Sequence, residues 1–268
     1  MTDSPFAGDP VSEVHLDSSP LVKVIAQVRF PVIAKIDTLG GVQKFQESLR
    51  VHYPVMRAEN RLAFSLAPGV QFGGSPATLW RLSNASTTWS VTLAHDFVAL
   101  ETTDYHSRDD FLDKWHFVLS SLESLDPAPA VKDRIGIRYI NRLMGPNLTK
   151  ELGRWIKPNA VGLTQQTNPL GIELVANVTQ SHYRINNLQL KASWGKLPPN
   201  AVIVPGVDAV DEESWVLDID VFSEEKSSFS VDESLSDSRR AAEYAYAFFR
   251  GIVTDNFLSE HGAKSNVC

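Results

Sequence analysis

Eight polar side chains of this sequence share a chemistry and a spacing. Lys23, Gln27 and Arg29 alternate with apolar residues in PLVKVIAQVRF (20–30), and Arg134, Arg138 and Arg142 do so in DRIGIRYINRLM (133–144). Arg81 in TLWRLSN and Lys191 in NNLQLKASWG sit in similar surroundings. In an extended chain, alternate residues share a face. These cations and the glutamine therefore occupy the face opposite the apolar one. Guanidinium forks in a row suit phosphates or carboxylates, because their planar donors match both. Asp218 and Asp220 stand two apart in SWVLDIDVFSE. They could reach one Mg²⁺ together, or they could pair with arginines across the sheet. Two carboxylates without a third ligand make a poor metal site, so no metal is assigned and no cofactor is implied.

Other chemistry is sparse. The sequence has no P-loop, no dinucleotide GxGxxG, no HExxH, no CxxC and no GxSxG. The glycines of FGGSP (72–76) read as a tight turn. Seven histidines are scattered. His95-Asp96 falls where a hairpin turn is expected, and His116 falls inside a helix beside Trp115. Cys268 is the last residue, where a frayed end cannot hold a thiolate in geometry. No catalytic residue is assigned.

The 268 residues carry a formal net charge of −7, which argues against bulk charge-driven binding to nucleic acid or an anionic membrane. With one cysteine there is no internal disulfide, so a reducing, cytoplasmic setting is expected. No apolar run is long enough to cross a membrane as a helix. The acidic, Pro- and Ser-rich residues 1–19 lack the pattern of a signal peptide and read as a flexible arm.

The elements that must position the eight side chains follow from periodicity. After the strand at 20–30, Asp37 or Thr38 can cap a helix whose apolar face is Val42, Phe45, Leu49 and Tyr53, ended by Pro54. Four strands are then expected: RLAFSLA, TLWRLSN, TWSVTLAHD and FVALETTD. Ser107 caps a long helix with Phe111, Trp115, Val118 and Leu122 on one stripe. The order then repeats. A strand at 134–143 precedes a short helix in LTKELGRWIKP. Strands follow in GIELVANVTQSHY, NNLQLKASWG, NAVIVPG and SWVLDIDVFSE. A last helix covers SDSRRAAEYAYAFFRGIVTDNFLSEHG, with Ala242, Ala245, Phe249, Ile252 and Val253 as its stripe. Val28-Arg29-Phe30 and Ile137-Arg138-Tyr139 echo each other at the start of the two halves. The fold class is α+β, a duplicated β-α-β4-α with helices on one face of a curved antiparallel sheet. The divisions are an arm at 1–19, halves at 20–128 and 129–262, and a tail at 263–268.

PLVKVIAQVRF, RIGIRYINRL and FFRGIVTDNFL together resemble a sporadically distributed bacterial and archaeal family for which no activity is established. The element order resembles the duplicated fold of the TATA-box-binding protein. The absence of catalytic motifs and the sporadic distribution of that family favour a non-catalytic adaptor of an accessory or defence system, antitoxin- or immunity-like. Its expected partner is another protein, such as a neighbouring-gene product, held on the open sheet face or the helical surface. The alternative is a nucleic-acid or nucleotide binder using the basic sheet face. No membrane partner is expected, and a homodimer is left open.

Overall fold

The computed structural model describes residues 13–60, 78–145, 148–165, 171–202 and 207–263. Strand β1 (Leu21–Arg29) leads through a 3-10 turn to α1 (Leu39–Leu49), capped by the Thr38 hydroxyl, which accepts from the Gly41 N–H. Strands β2 (Val55–Asn60), β3 (Thr78–Ser83), β4 (Trp89–Ala94) and β5 (Phe97–Thr102) follow. Helix α2 (Arg108–Glu123) starts where the Ser107 hydroxyl accepts from the Asp110 N–H, as expected of a serine before an acidic first turn. Beyond it lie β6 (Val131–Lys132), β7 (Arg134–Met144), α3 (Leu148–Trp155) and α4 (Pro158–Val161). The chain ends in β8 (Asn177–Ile185), β9 (Leu188–Leu197), β10 (Ser214–Ser223), β11 (Ser227–Ser228), α5 (Val231–Ile252) and α6 (Asp255–Glu260).

Nine strands form one open sheet in the order β2-β3-β4-β5-β1-β7-β10-β9-β8, and every neighbouring pair is antiparallel. Strands β6 and β11 form a separate pair. The fold is thus α+β, with helices packed on a large antiparallel sheet. Strands β1 and β7 lie side by side at its centre. Arg29 faces Arg134 and Ile25 faces Arg138 in register. Arg29 and Arg138 therefore stand two residues to either side of the Gln27–Gly136 pair, on the same face.

Two hydrophobic clusters fill the helical side. The first joins Val24, Ala26 and Val28 of β1 to Phe45 of α1 and Trp115 of α2. The second joins Leu190 of β9, Ile219 of β10 and Leu152 of α3 to Phe257 of α6. Helix α5 serves both, with Ala242 in the first and Ala241, Ala245, Phe248 and Ile252 in the second. The Trp115 indole N–H donates to Ser238 Oγ at 3.0 Å and ties α2 to α5.

Several expectations need correction. A strict two-residue period in PLVKVIAQVRF puts Val22 with Val24 on the helical face. A bulge between Leu21 and Lys23 turns it to the opposite face, beside Ile140 and Val216. The stripe of α5 centres on Phe248, which is fully buried, and Phe249 is only partly buried. The helix spans two clusters, and that fixes its rotation. The strand expected at GIELVANVTQSHY begins only at Asn177, leaving Ile172 64% exposed. The strand expected at RLAFSLA lies outside the described residues, and so does most of NAVIVPG. Strand β2 (Val55–Asn60) was not foreseen. No helix among the described residues is long and apolar enough to cross a membrane.

Candidate functional site

The eight side chains singled out by parity do gather on the sheet face opposite the helices. Most already have partners there. The Lys23 ammonium lies 2.9 Å from Glu101 Oε2. Arg81 bonds Glu101 Oε1 and reaches Glu59 at 3.3 Å. Ser90 Oγ donates to the same carboxylate. Burial would raise the Glu101 carboxyl, but Lys23 and Arg81 hold it below the usual carboxylate range. Across the centre, Arg134 binds Asp220 at 2.9 and 3.2 Å and reaches Gln27 Oε1 at 3.5 Å. Arg138 grips Asp218 through Nε at 2.8 Å and Nη2 at 2.6 Å. Burial opposes the Arg138 charge, and the Asp218 carboxylate outweighs it and raises the pKa. Arg29 reaches Asp96 at 3.5 Å.

Arg142 and Lys191 have no carboxylate partner among the described residues. Arg142 donates to the Asp208 carbonyl at 2.8 Å, while its Nε and Nη2 are buried and unpartnered among the described residues. Burial lowers its pKa. The segment that supplies Asp208 also lays Val207 against Ile140 and Val216, so this face is partly covered. Lys191 Nζ and the Arg134 guanidinium sit 5.1 and 4.3 Å from the Phe222 ring centroid. Phe222 approaches so closely because residue 136 is glycine: a Cβ there would stand 2.6 Å from Phe222 Cβ. Asp218 and Asp220 are each clasped by an arginine, and among the described residues no group of acidic, histidine or cysteine side chains could hold a metal.

A second candidate site lies on the other side of the sheet. A cavity of about 330 Å³ opens between the start of α2, the middle of α5 and residues 13–21. Its floor is Leu21 of β1, Tyr139 and Asn141 of β7 and Ile219 of β10. Ala242, Ala245, Tyr246 and Phe249 of α5 form one wall. The opposite wall is Tyr105 and Arg108. Tyr105 and Tyr139 meet edge to face with centroids 5.9 Å apart. Burial raises both phenols well above their ordinary value, and the Glu13 carboxylate adds to it, so both are protonated donors at neutral pH. The Arg108 guanidinium lies 5.6 Å from the Tyr246 ring centroid.

The segment read as an arm roofs this cavity from Glu13 onward. Tyr105 Oη donates to Glu13 Oε1 at 3.1 Å, and the Arg108 backbone N–H donates to Glu13 Oε2 at 3.4 Å. The Arg108 Nε stands 3.7 Å from the same oxygen. The Val14 N–H donates to Tyr246 Oη at 2.9 Å. Further along, Leu16 bridges to Ala263 and the Ser18 N–H donates to the His261 carbonyl. Gly262, at φ +77°, leaves room for Asp17, whose Cβ would lie 2.7 Å from any Cβ placed there. None of Glu13, Tyr105, Arg108 or Tyr246 was found from sequence. One signal was present: a cation in the first helical turn opposes the helix dipole, and Arg108 follows the cap directly.

No protein-family model matches the chain, and no curated protein or solved structure matches it.

Proposed function

We propose that the protein is a non-catalytic binding protein that receives its ligand on the helical side, in the cleft between α2 and α5. The observation that carries this reading is the cavity of about 330 Å³ over the central strands, where Leu21, Ile219 and Phe249 lie beside the polar Asn141, Tyr105 and Arg108. A well-formed apolar pocket with a few convergent polar groups is the ordinary form of a small-molecule site. The basic sheet face supports the alternative, nucleic-acid binding, less well. Arg134, Arg138, Lys23 and Arg81 are already neutralised by carboxylates on the same sheet face, so a phosphate would have to displace them. The adaptor or antitoxin-like role belongs to this proposal, and its support is the three landmark segments at 20–30, 134–143 and 248–258.

The duplication is part of the same reading. The order β2-β3-β4-β5-β1 on one side of the centre is echoed by β8-β9-β10-β7 on the other, and each half carries a long helix after its last strand. The second half shows one long strand fewer among the described residues.

Methyl-labelled protein titrated with a library of small aromatic and aliphatic fragments tests the reading. Fragments are expected to shift the Ile219 and Leu21 methyl signals. A short DNA duplex should leave Ile25, Ile140 and Val216 on the opposite face unmoved. Shifts of those three with DNA, weakening steeply with salt, would replace the cleft by the basic face.

A further inference from the structure

We propose that the cleft is built for a small carboxylate with an apolar body, and that Glu13 occupies the carboxylate position as an internal competitor. The inference rests on the cleft being the receiving site. Two hydrogen-bond donors and a cation converge on the Glu13 carboxylate: the Tyr105 hydroxyl, the Arg108 backbone N–H and, as an ion pair, the Arg108 guanidinium. That is a recognition set for one carboxylate, assembled at the edge of an apolar cavity. Its fit to Glu13 is loose. The contacts run 3.1, 3.4 and 3.7 Å, against about 2.7–2.9 Å for a well-seated charge-assisted bond. The Nη groups of Arg108 donate to nothing among the described residues. A guanidinium offers a two-pronged fork, and Glu13 uses only its Nε side. A free carboxylate entering from the cavity can approach that fork end-on, with its apolar part on Leu21, Ile219 and Phe249.

The roof is anchored unevenly. At Leu16 to Ser18 it is clamped by backbone bonds to residues 261–263. At Glu13 it is held by the carboxylate contacts and the Val14–Tyr246 bond. A ligand carboxylate would therefore release the Glu13 end and leave the rest of the roof in place.

The test compares benzoate and hexanoate with benzamide and hexanamide, which match them in shape without the charge. Affinity is read from the Ile219 methyl signal of the full chain. In Glu13→Gln the two acids should bind about tenfold tighter than in the unmodified protein, and the amides should not change. In Arg108→Gln the preference for acids should vanish. If that variant does not fold, Tyr105→Phe, which removes one hydroxyl, should weaken the acids alone. Exchange of the Val14 amide should quicken when an acid binds, and that of Ser18 should not. If amides bind and Glu13→Gln gives the acids no advantage, the cleft stands and the carboxylate assignment falls. If neither acids nor amides move Ile219 or Leu21 in any variant, the cleft reading itself falls.

Discussion

Two arginines on opposite sides of this sheet meet carboxylates in different ways. Arg138 grips Asp218 with two short bonds, at 2.6 and 2.8 Å, and both side chains are nearly inaccessible. The Arg108 guanidinium approaches Glu13 through one nitrogen at 3.7 Å, and the Glu13 side chain is 31% exposed. The difference lies in what carries the acid. Asp218 belongs to β10, whose register against β7 is fixed along ten residue pairs. Glu13 belongs to a segment clamped by backbone bonds at Leu16 to Ser18 and held at its other end by the Val14–Tyr246 bond and the carboxylate contacts alone. A sheet register holds a charge pair in a single geometry, whereas a strap holds one that a competitor can displace. Cations on the strands therefore read as architecture, and the cation at the mouth of the cleft reads as recognition.

The largest effects should come from the packed helical side that the cleft interrupts. Phe248→Ala should cost about 3–5 kcal/mol in urea unfolding, because the ring is fully buried. Phe249→Ala, on the cavity wall, should cost clearly less. Equal losses would mean that the cavity is no weak point in the packing. Next comes the buried pair. Asp218→Ala removes the carboxylate that holds the buried Arg138 charge with two short bonds and should cost about 3 kcal/mol. Arg138→Met combined with Asp218→Leu should return to within about 1 kcal/mol of the parent. A double variant as unstable as the single one would show that the pair is more than a compensated burial.

The acid limb of stability sharpens the comparison further. The folded Glu101 carboxyl is held below its unfolded value of about 4.3. A depressed carboxyl contributes in full above the unfolded value and loses that contribution as pH falls through the folded one. Unfolding measured from pH 7 down to pH 3 should show this loss, and Glu101→Gln should flatten it. A variant with the parent's full acid slope would locate the effect elsewhere. The smallest effect is expected at Glu13. Glu13→Gln should change stability by less than about 1 kcal/mol, as for exposed ion pairs generally. A loss as large as that of Asp218→Ala would make the strap a structural clasp.

Much of this architecture was legible locally. The alternation in β1 and β7 set the faces of Ala26, Val28, Ile135 and Ile137 correctly, because a two-residue period needs no knowledge of neighbours. Thr38 and Ser107 were readable as caps for the same reason: a hydroxyl satisfies N–H groups two or three residues away. The eight polar side chains were placed on one face by parity alone. Parity failed at Val22, where a bulge adds a residue that no period foretells.

What the sequence could not decide was who meets whom. Arg138 and Asp218 lie 80 residues apart, and either could have faced solvent or a ligand until the β7–β10 register brought them together. The cleft is less local still. Glu13 and Arg108 are 95 residues apart, and they meet only because the chain before β1 crosses between two helices and is clamped at residues 261–263. Local pattern follows from the period of a helix or strand, which a few residues repeat. The pairing of distant charges and the shape of a cavity depend on how whole elements pack, and no short stretch of sequence contains that.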